Sequence, residues 1–115
     1  TVTSQSSSDE IFQNQVLRAM LKLQNGLLRD VFRSYISKYK NDFYAYSVEK
    51  KLAYIENSIQ KDIKFRNSLK GIVIGLFTIA EYNEYIKNSS SLNKRMMNML
   101  IERLKNQVQL FEMQE

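Results

Sequence analysis

The chain has no proline, histidine, cysteine or tryptophan, and only three glycines in 115 residues. With proline absent and glycine scarce, little in it breaks a helix. Without histidine or cysteine it lacks the usual transition-metal ligands, the commonest general base and any thiolate nucleophile. No cysteine also means no disulfide framework, which suits a reducing compartment, so a cytoplasmic location is expected. The longest apolar stretch, residues 71–80, is about half of the roughly 20 residues a spanning helix requires. The start of the chain lacks the basic-then-apolar layout of a signal peptide, and a soluble protein without membrane contact is expected. Gly71 and Gly75 have neither the spacing nor the lysine of a phosphate-binding loop, and the carboxylates are too scattered for a calcium loop. No metal and no cofactor are expected.

What is present is a foldable composition: 43% hydrophobic and 25% charged residues, with a net charge of +5. Apolar side chains at that share are enough to order a chain of this length around one core. Basic residues are spread rather than blocked, so the charge favours solubility and an acidic partner without marking a basic tail. Residues 1–8 are mostly Ser, Thr and Gln and are read as a disordered lead-in; residues 9–115 form a single domain.

The expected fold is all-α, an antiparallel helical bundle of three long helices plus one short helix. Ser7 and Glu10 fit a capping box, placing the first start near Asp9. Val16, Met20, Leu23, Leu27 and Val31 then form one stripe, and Leu17, Leu21, Leu28, Phe32 and Tyr35 a second beside it. A helix half covered in apolar side chains needs neighbours on two sides, and Gly26 within it suggests close helix packing. A turn is expected between residues 40 and 47. Ser47 then caps a second helix with a core stripe of Val48, Leu52, Ile55, Ile59, Val73 and Phe77. Gly75 should close it in a left-handed conformation. Thr78 and Glu81 make a second capping box that opens a short helix burying Ile79, Tyr82 and Ile86. Ser89, Ser90 and Ser91 supply the next cap. The last helix follows with Met96, Met97, Leu100, Ile101, Leu104, Val108 and Phe111 inward, and residues 113–115 are expected to fray.

Three groups of residues stand out as candidate sites, and none of them is a catalytic set. Asp62 and Arg66 interrupt the second apolar stripe four residues apart, a spacing that favours a pair across one helical turn. If buried, that polar notch fixes an interface or holds a ligand, with Arg33 or Arg95 converging on it. Arg18, Lys22, Arg29 and Arg33 share one sector of the first helix and form a basic stripe that can track phosphates. Downstream, Tyr35, Tyr39, Phe43, Tyr44 and Tyr46 mix with Lys38 and Lys40. That mixture suits base stacking, though rings buried at a helix corner explain it more simply. Leu92, Met96, Met99 and Leu110 are candidates for a partner surface, most simply a second copy of the chain. Two lesser motifs have structural explanations: Ser47 with Lys50 is a cap rather than a Ser-x-x-Lys nucleophile, and Asn88-Ser89-Ser90 matches a glycosylation acceptor by chance.

These features point to a non-enzymatic interaction protein, a regulator or adaptor acting as a homodimer with a further protein partner. Nucleic-acid binding through the basic stripe is the first alternative. A small-anion binder or enzyme built on Asp62 and Arg66 is the second.

Overall fold

With no proline to interrupt it, the first third of the chain runs helical almost without a break. A computed structural model describes residues 2–39 and 42–111. Helix α1 covers Val2–Phe12, a single wide π turn follows over Gln13–Leu17, and α2 (Arg18–Leu23) and α3 (Asn25–Lys38) complete the run. The helix therefore reaches back to Val2, through residues expected to be an irregular lead-in. Ser7 and Glu10 lie inside it and do not form an N-terminal capping box. The wide turn has a packing consequence. Phe12 and Leu17 are five residues apart, which at about 100° per residue would put them on different faces. An i→i+5 turn brings both onto the buried side. At Gln24 the backbone departs from helical values (φ −94°, ψ 10°), yet Leu28 N still donates to Gln24 O at 2.8 Å.

After a short 3₁₀ turn at Phe43–Ala45, Ser47 caps α4 (Val48–Lys61) by accepting from Lys50 N. Where one long second helix was expected, the chain turns at Asp62 and restarts as α5 (Ile63–Ile74). Gly75 follows in a right-handed conformation (φ −60°, ψ −15°), not the left-handed one expected. The Thr78–Glu81 capping box forms in both directions and opens α6 (Ile79–Ile86). Helix α7 (Ser89–Asn106) and a 3₁₀ turn at Val108–Leu110 end the described chain. The protein is thus all-helical, with more segments than four. Among the described residues no helix is long and apolar enough to cross a membrane. Residues 40, 41 and 113–115, named above for the first turn and the fraying end, lie outside the described residues.

The core takes Leu17, Leu21, Leu28, Phe32 and Ile36 from the first run, Ile55 and Ile59 from α4, and Phe65, Leu69 and Val73 from α5. Helix α7 contributes Met96, Met97, Leu100, Ile101 and Leu104; Val108 and Phe111 are buried as expected, but from the segment after α7 rather than from the helix. Three expectations fail. Val48, placed in the core stripe of the second helix, is exposed at the start of α4. In the stripe Val16, Met20, Leu23, Leu27 and Val31, the first two and the last pack partly against the core, but Leu23 and Leu27 are left uncovered, 71% and 46% exposed. On α6 the faces are reversed, with Ile79, Tyr82 and Ile86 exposed and Tyr85 buried.

Candidate functional site

Asp62 sits where α4 ends and α5 begins, and its carboxylate is engaged on both oxygens. Phe65 N donates to Oδ1 at 3.1 Å, and the Tyr35 hydroxyl donates to Oδ2 at 2.9 Å. Tyr35 also stacks on Phe65 with ring centroids 4.0 Å apart. Asp62 is therefore the N-cap of α5 and ties that elbow to α3. It does not pair with Arg66, whose guanidinium donates instead to Gln60 O at 3.2 Å. Arg33 and Arg95 are held elsewhere, so the four residues expected to converge on a polar notch do not meet. The cleft beside Asp62, about 610 Å³, is lined by Tyr35, Tyr54 and Lys61 among others, but not by Arg66.

The hydrogen bonds from Phe65 N–H and then Tyr35 O–H hold the Asp62 carboxyl below the usual carboxylate range. Burial, and next the Asp62 carboxylate, push the Tyr35 phenol above its ordinary value, so it stays a donor. A carboxylate whose pKa is depressed by folding stabilises the fold above its unfolded pKa. That contribution is lost as pH falls through the folded value. Thermal melts from neutral pH down to about pH 3 should therefore show Asp62→Asn losing less stability on acidification than the parent chain. Parallel pH profiles for the two would show that the cap carries no such linkage.

The basic stripe of the first helix divides in two. Arg18 and Lys22 are exposed, and Arg18 donates to Asn14 Oδ1, four residues before it. Arg29 and Arg33 are half-buried and fasten the segment that follows α7. Arg29 donates to Gln107 Oε1, while Arg33 donates to Leu110 O at 2.8 Å, pairs with Asp30 and lies over the Phe111 ring. The four do not form one free phosphate track. The aromatic corner is likewise mostly structural: Phe43 is fully buried against Phe32, Tyr44, Tyr46, Tyr54 and Phe111, while Tyr39 stays exposed. Lys50 and Lys51 sit over Tyr46 and Phe43. Of the candidate partner surface, Leu92 and Met96 are buried in the chain's own core, Met99 is half-buried and only Leu110 is exposed. The Asn88 amide of the acceptor-like motif is engaged by Asp9.

What sequence reasoning missed is a pair of clefts on either side of α7. One, about 530 Å³, is lined by Arg18 from the first run and by Arg95, Asn98, Glu102 and Arg103 from α7. Within it Asn25 and Gln107 exchange two amide hydrogen bonds at 2.9 and 2.8 Å, and Arg95 donates to Gln13 Oε1 at 2.7 Å. The other, about 400 Å³, is lined by Arg66 and Lys70 from α5 and by Lys94 and Asn98 from α7. Asn98 borders both. Six cations thus flank one helix with a single carboxylate, Glu102, among them. Lys94 and Arg95 are adjacent in sequence and face different clefts, but the other contributors come from three separate helical segments, a grouping only the tertiary fold creates. Among the described residues no three carboxylates come close enough together to hold a metal ion. No protein-family model, no curated protein and no solved structure matches this chain.

Proposed function

We propose that the chain is a non-enzymatic interaction protein, a cytoplasmic regulator or adaptor whose three long helical stretches and one short one pack antiparallel and which works as a homodimer. The observation that carries this reading is the uncovered stretch of the first helical run. Ala19, Leu23, Gly26 and Leu27 are all exposed there. A side chain built at Gly26 would meet nothing within 4 Å. A glycine inside a helix costs roughly 1 kcal/mol relative to alanine, and no neighbour within the chain requires it. Close approach of a second helix at that point is the reading that uses it.

The charges beside the stretch favour another copy of the same chain as that second helix. Lys22 and Asp30 lie on either side of Gly26, along the helix, and both are exposed; Asp30 also holds Arg33 of its own chain on one oxygen. In an antiparallel crossing Leu23 of one copy meets Leu27 of the other, and Lys22 of each comes within about one helical turn of Asp30 of its partner.

Sedimentation analysis or light scattering should give twice the chain mass of 13.6 kDa. Leu23→Glu should return the single-chain mass with helicity unchanged, and Lys22→Asp should weaken association. The double exchange Lys22→Asp/Asp30→Lys should restore it. A single-chain mass at all concentrations would overturn the homodimer, and association indifferent to the charge exchange would overturn this interface for it.

A further inference from the structure

The two clefts flanking α7 gather cations on both sides of one helix. Arg18, Arg95 and Arg103 line one side of the helix and Arg66, Lys70 and Lys94 the other. Among the described residues none of these six is ion-paired; the pairs present are Arg33–Asp30, Lys87–Glu84 and Lys105–Glu56. The hydrogen bonds of Arg18, Arg95 and Arg66 go to amide or carbonyl oxygens, which leaves their charge uncompensated. Such a concentration of like charge raises the local concentration of anions and strengthens as salt falls.

From this arrangement we infer that α7 is a nucleic-acid contact and that the sugar-phosphate backbones of duplex DNA lie along its two cationic flanks. The physical match is one of width. An α-helix with its side chains is about 10–12 Å across, and the major groove of B-DNA, bordered by two lines of phosphates, is about 12 Å wide. The exposed ridge between the clefts carries Asn98 and Glu102 at four-residue spacing, on one face of α7. Those side chains can donate to and accept from base edges: asparagine suits adenine, and a carboxylate accepts from the cytosine amino group. An acidic protein segment would satisfy the cations but not Glu102, which it would repel. Single strands are disfavoured because no aromatic ring lines either cleft to stack an unpaired base. Arg18 and Asn25 of the first cleft adjoin the stretch around Gly26, but the inference stands apart from the homodimer in its readout, since the cleft variants report on duplex binding and the Leu23 and Lys22 variants on mass.

The test is fluorescence anisotropy with a labelled DNA duplex of about 20 base pairs, titrated with the full chain at several salt concentrations. Six phosphate contacts should weaken binding about a thousandfold between 50 and 200 mM salt. Arg66→Gln/Lys70→Gln and Lys94→Gln/Arg103→Gln should each weaken it more than tenfold at fixed salt and lower the salt slope by about 2. Lys50→Gln/Lys64→Gln, exposed residues outside both clefts, should change it less than threefold, with circular dichroism unchanged in every variant. No binding at 50 mM salt would overturn the inference, as would an affinity that neither cleft variant alters. So would tighter binding of the single strand than of the duplex, or equal competition by polyglutamate.

Discussion

Replacing Phe32 with alanine should destabilise the protein by about 3–5 kcal/mol, a large part of the ~5–15 kcal/mol that holds a typical domain folded. Phe32 has no exposed surface. Its ring centroid lies 5.2 Å from that of Phe111, 6.0 Å from Phe43, 6.1 Å from Phe65 and 6.2 Å from both Tyr35 and Tyr54. Those rings come from α3, the 3₁₀ turn at Phe43–Ala45, α4, α5 and the segment after α7. One side chain therefore joins parts of the chain distant in sequence. Truncation removes the transfer free energy of the ring, leaves a cavity that five rigid neighbours cannot easily collapse into, and forfeits edge-to-face contacts of about 0.5–1.5 kcal/mol per pair. In urea the midpoint should fall by roughly 2 M at an ordinary unfolding slope. Ile79→Ala, at a side chain 83% exposed, should move it hardly at all. A Phe32→Ala midpoint as close to the parent as that of Ile79→Ala would mean the aromatic cluster is not the centre of the fold.

The aromatic cluster also shows which parts of the structure a sequence reader can and cannot see. Local devices were visible: Ser47 and the Thr78–Glu81 box lie within four residues of the groups they cap and form as expected. The inward face of α7 was visible too, because 18 residues give enough turns to phase a stripe. On α6 eight residues give barely two turns. Three exposed apolar side chains then looked more like a core than a lone tyrosine, which is buried and satisfied by Asn93. Asp62 left a trace that was misread. An Asp breaking an apolar stripe is as much the signature of a new helix start as of an ion pair, and the spacing to Arg66 drew attention to the second. The π turn left only the five-residue step from Phe12 to Leu17. Beyond the local Arg33–Asp30 pair, the contacts of Arg29 with Gln107 and of Arg33 with Leu110 could not be assigned from the sequence, since those partners lie 78 and 77 positions away and no local pattern encodes them. The clefts around α7 fail to show in the sequence for the same reason.

Removal of the Asp9 carboxylate should be the second most damaging change, costing about 2–4 kcal/mol. Asp9 is 5% exposed, although it lies on a helix expected to be only beginning there. Asn88 Nδ2 donates to its two oxygens at 3.0 and 2.8 Å, and Ser91 Oγ donates to Oδ2 at 2.8 Å. The carboxylate thus sits against the first turn of α7, where the unpaired N–H groups of the helix end favour negative charge. In Asp9→Ala the donors of Asn88 and Ser91 lose a charged acceptor in a place water reaches poorly, and that desolvation, more than the lost attraction, sets the size of the effect. Asp9→Asn keeps the shape but turns an N–H₂ group toward a donor, so it should fall between the alanine variant and the parent. Hydrogen exchange separates this from simple fraying of the chain's start. A clamp between α1 and α7 predicts that Asp9→Ala speeds exchange in the first turn of α7 as well as in α1 and lowers the global urea midpoint. Faster exchange confined to α1, with the midpoint unmoved, would show that α7 holds its own first turn and that the contact is only a tether for the N-terminal helix.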